Sequence, residues 1–329
     1  MKSFKFDVAS LGNAIVDILS CVEDEFLIKN HLQKGSYQAL PQEEINALYN
    51  LIPPATEQSG GSAANTVAGL ASLGAKTTYM GKVHDDEFGH IFLHDLISSG
   101  VHCPSEPSLE GAGTGRSIIL ITPDAERTMN TYLGASIDIT PVDVQEDLIL
   151  NSKVFYTEAY LWEPFTAREA VMKAIRICKG AGNQFAFTLS DIACVKRYRE
   201  DLIPFVKEQV DILIANEFEI KELYQTDLTS AVERVRDQGI TAALTLGKEG
   251  SLIIQNKQIY QVHREPALQV VDTTGAGDIY ASGFLFGITQ GLDMPTTGKI
   301  ASIAAAEVIS HLGSRPCRSL ATCIKERLK

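Results

Sequence analysis

The chain contains no Cys-x-x-Cys pair. Its six cysteines stand far apart, at positions 21, 103, 178, 194, 317 and 323, a spacing that offers neither a zinc site nor a redox dithiol. Scattered thiols and the lack of a signal peptide lead to the expectation of a reducing, cytoplasmic setting. No apolar stretch reaches the ~20 residues a membrane helix needs, because Gly, Ser or a charge breaks each one. Positive charge is also scarce: 29 Lys and Arg face 41 Asp and Glu, for a net charge of −12. With no basic stripe to neutralise phosphates, a nucleic-acid surface is excluded, although local basic residues remain to meet a nucleotide triphosphate. Repeats and low-complexity tracts are absent. What remains is 329 residues, 45% of them hydrophobic, enough for a large buried core.

Apolar β-like runs recur along the chain, at Phe6 to Leu11, Thr77 to Val83, Val154 to Thr157, Gln184 to Leu189, Ile212 to Ala215 and Ala242 to Leu246. Helical patterns follow most of them, such as Glu87 to Ser98, Ala167 to Lys179 and Glu217 to Tyr224. That alternation predicts an α/β fold with a mainly parallel sheet covered by helices. Ser251 to Gln261 reads as a late hairpin. Two stretches, about 16–40 and 112–133, carry short β-like runs without crossover helices. They are expected to form a small antiparallel β lid over the C-terminal ends of the main sheet, where ligands of open α/β folds bind. Edge strands of such a lid leave monomer and homodimer both open.

Residues 272–278 read Asp-Thr-Thr-Gly-Ala-Gly-Asp. Gly275, Ala276 and Gly277 put no bulky side chain in the way of converging backbone N–H groups. The apolar run from Ile279 to Ile288 predicts a helix whose positive end lies at those groups. Asp278 stands in its first turn. An anion hole beside a carboxylate suits phosphoryl transfer to a hydroxyl, with Asp278 as base and the N–H groups holding charge on the phosphoryl oxygens. The plainer alternative is a strand-to-helix turn with an Asp favourable to the helix dipole. A dinucleotide loop is disfavoured, since no third glycine follows at the expected place.

Further segments fit around this loop. Asn13 and Asp17, after the first strand, are suited to grip vicinal hydroxyls; an Asx-turn and a surface carboxylate are the alternative. Gly60 and Gly61 allow close backbone approach, with Asn65 facing the ligand from a first helical turn; otherwise this is a glycine-rich loop capped by Ser62. Asn216 and Glu219 share a helix face and would hold Mg²⁺ through water, or else form a helix cap beside a solvated Glu. Thr245, Gly247 and Gly250 lie where a strand end admits a nucleotide, or where a tight hairpin turns. Arg127, in the expected lid, has the reach to meet a transferring phosphoryl group; a plain exposed Arg is the other reading.

Taken together, these residues closely resemble the ribokinase-like family of carbohydrate and nucleoside kinases, the PfkB group. The resemblance spans nearly the whole chain. It is carried by GGSAANTVAGLASLGAKTTYMGKVHDDEFG at 60–89, DTTGAGDIYASGF at 272–284, and Asn-x-x-Glu at 216–219 between them. It implies a three-layer αβα fold as one kinase domain over 1–329, using ATP and Mg²⁺. It implies Asp278 as catalytic base with Gly275, Ala276 and Gly277 as the anion hole. Asp17, Gly61 and Asn65 match acceptor-binding positions, Asn216 and Glu219 the Mg²⁺ and phosphate pair, and Thr245, Gly247 and Gly250 the nucleotide edge. Asp272 and the Thr274 carbonyl match a monovalent-cation site for K⁺ in many members. Ser302 stands where many relatives place Asn near the cofactor's base.

Acceptor signals are mixed. Ribokinases carry Lys at the place of Ser62, whereas Gly-Gly-Ser, Gly12 to Asp17 and Thr131 to Ser136 are similar to the nucleoside branch. Against this, Glu163 falls near a carboxylate that free-sugar kinases use. Tyr160 and Trp162 are either stacking partners for a purine or core residues. The expectation is phosphorylation of a nucleoside's primary hydroxyl, adenosine to AMP. A ribose or fructose kinase stands as the alternative, and a non-catalytic nucleoside- or sugar-binding regulator as the alternative of another class.

Overall fold

A computed structural model describes residues 3–124 and 126–328. In chain order its strands are β1 Phe6–Leu11, β2 Ile15–Cys21, β3 Tyr37–Ala39, β4 Thr56–Gly60, β5 Thr77–Met80, β6 Gly115–Ile121, β7 Arg127–Tyr132, β8 Ser152–Glu158, β9 Gln184–Thr188, β10 Ile212–Asn216, β11 Thr241–Thr245, β12 Ser251–Gln255 and β13 Gln258–Val262. They form an eight-stranded sheet in the order β13-β12-β11-β10-β9-β8-β1-β5 and a five-stranded sheet in the order β3-β7-β6-β2-β4. From β11 to β5 every pairing in the large sheet is parallel. β12 and β13 close it as the antiparallel hairpin that the sequence predicts.

The parallel strands are apolar on both faces, and their alternating side chains feed two cores. Val154, Tyr156, Ile212 and Ile214 point to one, against Val67, Leu70, Tyr280 and Phe284. Phe155, Leu213 and Ala215 point to the other, against Ala170, Ile175, Leu202 and Leu223. The result is a three-layer αβα arrangement. On the first face, the helices Ser62–Ser72, Ala276–Thr289 and Met294–Val308 pack closely because small residues meet at their crossings. A Cβ at Gly69 would lie 2.5 Å from Ser282 Oγ, and one at Gly283 would lie 2.4 Å from Ala301 Cα. This close packing brings the N-terminal turns of Ser62–Ser72 and Ala276–Thr289 together.

β1 lies between β8 and β5, so the chain leaves it in opposite directions along the sheet. The C-terminal end of such a strand opens a crevice, and Asn13, Glu158 and Asn216 all lie at that edge of the sheet.

The smaller sheet corrects two expectations. β4 belongs to it, although residues 56–60 fall outside the two stretches assigned to a lid. It is also mixed: β2 pairs antiparallel with β4 but parallel with β6, and β3 pairs parallel with β7. β4 meets β2 antiparallel but through a long connection rather than a tight turn, and the parallel pairs β2–β6 and β3–β7 join strands far apart in sequence, so neither feature leaves a turn signature.

Candidate active site

Gly275 caps the helix Ala276–Thr289 with φ of 72°. A Cβ there would meet Ser314 Cβ at 2.7 Å, so both its conformation and its surroundings require glycine. The Ala276 N–H turns back to the Thr273 carbonyl at 3.3 Å. Ala276 is thus a weaker donor to an anion than the three-residue reading implies. The Gly277 and Asp278 N–H groups lie in the first turn, where a helix supplies no acceptor. A side chain at Gly277 would meet nothing within 4 Å, so the loop faces open space.

Asp278 is half-buried. Its Oδ1 accepts from Ser62 Oγ at 2.7 Å and its Oδ2 from Asn65 Nδ2 at 2.9 Å. Desolvation pushes its pKa up to about 6, against the opposing pull of Asn65, Ser62 and Arg315. At neutral pH the group is therefore mostly ionised yet basic enough to take a proton.

Ser62 is a residue whose role the sequence reading missed. The helix cap is Gly61, at φ of 91° and ψ of 137°, and Ser62 is the first helical residue. Its hydroxyl is free to reach Asp278 because the glycine takes the capping position. Asn65 spends its amide nitrogen on Asp278, and its Oδ1 accepts from Ser314 at 3.2 Å.

A second polar group gathers around Asp17 on β2. Its carboxylate accepts from Ser314 Oγ at 3.3 Å, and a Cβ at Gly60 would fall 2.4 Å from it. Burial pushes its pKa up to about 7, with Arg315 opposing and Asp278 and Asp272 adding to the rise. Asn13 is buried, and its Oδ1 has no hydrogen-bond partner among the described residues. An orphaned acceptor of this kind fits a ligand hydroxyl.

Glu158 is the second missed residue. It ends β8, is buried, and accepts from the Asn13 N–H at 2.9 Å and the Ala63 N–H at 2.6 Å. It thereby joins the β1 loop to the glycine loop. Its signal is a carboxylate closing an apolar parallel strand. Glu163, the carboxylate picked from the sequence, instead forms a half-exposed ion pair with Arg197. Trp162 is a core residue: its ring packs 4.3 Å from that of Phe205, which removes it as a stacking partner. Tyr160 stays exposed enough to serve as one.

At the end of β10, Asn216 and Glu219 form a closed capping box. Asn216 Oδ1 accepts from the Phe218 and Glu219 N–H groups, and Glu219 accepts from Asn216 N at 2.8 Å and Nδ2 at 2.7 Å. The capping alternative holds, but a solvated Glu219 does not, since it is buried and its pKa is pushed up to about 7 by desolvation. No ion pair of Glu219 appears among the described residues, so its uncompensated charge fits a water-shelled divalent ion. Thr245 and Gly247 lie at the β11 end. Gly250 is held by the hairpin itself, because a Cβ there would strike the Val262 carbonyl at 2.1 Å. Ser302 is occupied, its Oγ accepting from the Glu265 N–H at 2.7 Å.

Asp272 is buried and accepts from Thr274 N at 2.9 Å, Thr274 Oγ1 at 2.6 Å and Gly313 N at 2.9 Å. Arg127, from β7, pairs with it at 3.4 Å and donates to the Thr274 and Thr273 hydroxyls. Its guanidinium thus sits on the anion loop and already matches the charge of Asp272.

Asp17, Glu158, Glu219 and Asp278 all have raised pKa values. The unfolded chain ionises these groups near pH 4, whereas the native state holds their protons up to about pH 6–7. Native protein therefore binds more protons in that window, and stability falls as pH rises through it. The lowered carboxyls Asp86, Asp124, Asp227 and Asp293 act in the opposite sense, below that window. The ligand-free protein is expected to melt at a higher temperature at pH 5.5 than at pH 8. A calorimetric melting point that rises steadily from pH 5.5 to 8 contradicts this.

Residues 42–321 match the family described as pfkB family carbohydrate kinase. The chain is similar to the solved adenosine kinase of Sinorhizobium meliloti, at 44% identity and a TM-score of 0.91, over 98% of this chain and 99% of that one. It is similar to a probable sugar kinase of Rhizobium etli CFN 42, at 43% identity and a TM-score of 0.92, over 98% of each. It is also 28% identical to the adenosine kinase of Saccharomyces cerevisiae, over 92% of this chain and 94% of that one. No helix among the described residues is long and apolar enough to cross a membrane.

Proposed function

We propose that this chain, which belongs to the pfkB family of carbohydrate kinases, transfers the γ-phosphoryl group of ATP to the primary 5′-hydroxyl of a nucleoside, adenosine foremost. Family membership carries ATP-dependent phosphoryl transfer to a small sugar or nucleoside. The observation that supports the nucleoside is the pattern on one face of the smaller sheet. Asp17, Ser117 and Thr131 lie side by side across β2, β6 and β7, and Leu19, Ile119, Met129 and Tyr37 form the next row, extended to β3. The first row is polar, with Ser117 and Thr131 hydroxyls 2.7 Å apart, and the second is an apolar cluster edged by Tyr37. Hydroxyls beside a flat apolar ring describe a nucleoside better than a free sugar, which presents no comparable apolar face.

In this reading the smaller sheet is the lid, shielding the acceptor from competing water. Asn13 and Asp17 hold the sugar hydroxyls, and Asp278 takes the proton of the attacking hydroxyl. As the new O–P bond forms and the bond to ADP breaks, the Gly275–Asp278 turn and Arg127 carry the charge on the phosphoryl oxygens. Mg²⁺, when bound, neutralises the phosphates, and Asn216 and Glu219 would hold its water shell. Thr245, Gly247, Gly250 and Ser302 mark the nucleotide edge. Asp272 and the Thr274 carbonyl are the positions that would hold K⁺, with Arg127 paired to Asp272 at 3.4 Å.

The name of the Rhizobium etli relative keeps a free-sugar acceptor as the second reading. ADP release with Mg·ATP against adenosine, inosine, guanosine, ribose and fructose separates the two. Adenosine is expected to be turned over far faster than either sugar. Preference for ribose or fructose establishes the second reading, and silence across the panel with ligand binding intact leaves a non-catalytic binder.

A further inference from the structure

The segment Gly313–Ser314–Arg315 follows the helix Met294–Val308, and each of its residues touches a different part of the site. Gly313 N–H donates to Asp272 on the anion loop, and Ser314 Oγ meets Asp17 and Asn65. Arg315, half-buried, spends its fork on two elements at once. Nε donates to the Ser59 carbonyl at 2.9 Å, Nη2 to Ser59 Oγ at 2.7 Å, and Nη1 to the Ala64 carbonyl at 2.7 Å. Ser59 then passes its N–H and hydroxyl to Asp95 Oδ2, at 2.8 and 2.5 Å.

The two gripped residues are not arbitrary. Ser59 immediately precedes Gly60, against which the Asp17 carboxylate packs. Ala64 immediately precedes Asn65, which holds Asp278. A single planar cation therefore ties β4 of the smaller sheet to the helix Ser62–Ser72. It thereby spans the two elements that flank Asp17 and Asp278. Burial pulls the Arg315 pKa down, and the charges of Asp95, Asp17 and Asp278 oppose that pull.

We infer that Arg315 is a positioning residue for the acceptor: clamping Ser59 and Ala64, it holds Asp17 and Asp278 in the register that presents the hydroxyl for attack. This rests on the acceptor-kinase reading above. Arginine suits the task because its donors diverge in a fixed plane, whereas a lysine ammonium retains the charge without the fork.

The test compares Arg315→Ala, Arg315→Lys and Ser59→Ala with wild type, measuring the KM of acceptor and of Mg·ATP separately, with melting temperature alongside. Arg315→Ala is expected to raise the acceptor KM at least tenfold while the KM for Mg·ATP stays within twofold. Millimolar guanidinium should restore part of the loss, whereas NaCl at equal ionic strength should not. Arg315→Lys should fall between the two. Equal movement of both KM values, or identical responses to guanidinium and NaCl, overturns the inference. Should Arg315→Ala fail to fold, Arg315→Lys decides, because Ser59→Ala leaves both backbone carbonyls to the guanidinium: a raised acceptor KM with the Mg·ATP KM unmoved supports the clamp, and an unchanged acceptor KM overturns it. Wild-type enzyme silent toward every acceptor counts instead against the kinase reading.

Discussion

Replacing Asp278 with Asn is expected to lower kcat by roughly 10²–10⁴-fold, the range for loss of a general base. The substitution keeps the shape of the side chain. Its carbonyl can still accept from one of Ser62 and Asn65, which now stand 2.7 and 2.9 Å from the carboxylate. What disappears is the capacity to take the hydroxyl proton. Affinity for acceptor and for Mg·ATP, measured by calorimetry, should therefore stay within a few-fold of wild type. An unchanged kcat removes Asp278 from the chemistry, and a kcat loss matched by lost acceptor binding makes it a binding residue instead.

Gly61→Ala is expected to have a large structural effect for a single added methyl. Its backbone, at φ of 91° and ψ of 137°, lies in a region that L-residues adopt at a cost of ~1–3 kcal/mol. The new Cβ would also stand 2.1 Å from the Asn13 carbonyl oxygen, a backbone atom with no flexible side chain to yield. Strain and collision together should destabilise the fold by ~3 kcal/mol or more. Where folded protein is recovered, the acceptor KM should rise more than tenfold, since the displaced loop carries the unpaired Asn13 Oδ1. Gly180→Ala is the control: that position has no positive φ, and its Cβ meets nothing within 4 Å. Equal melting points for the two variants contradict the steric argument.

The parallel sheet and its helices are legible because both faces of each central strand are buried, which writes continuous apolar runs into the sequence. The hairpin β12–β13 is legible for a similar local reason. The turn at 275–278 and the Asn216–Glu219 box are short motifs whose geometry lies in consecutive residues. Other parts of the site depend on contacts between distant segments. Ser62 reads as a cap until Gly61 is seen to hold that position with a backbone only glycine adopts readily. Arg315 grips residues 256 and 251 positions away, and no periodicity announces such a contact. Trp162 reads as a stacking partner by residue type and Glu163 as a sugar ligand by resemblance, but an aromatic cluster with Phe187 and Phe205 takes the first and Arg197 the second. Glu158, five residues earlier, is the carboxylate that closes the strand and meets the two loops.

The destination of the phosphoryl group is the decisive observable. ADP release by the wild-type protein should be measured with Mg·ATP and either adenosine or 5′-deoxyadenosine, which keeps the base and both ring hydroxyls but lacks the acceptor oxygen. The predicted result is rapid release with adenosine, none above background with 5′-deoxyadenosine, and competitive inhibition of the first reaction by the second. Equal ADP release with both nucleosides, or none with adenosine under conditions where it binds, contradicts the assignment.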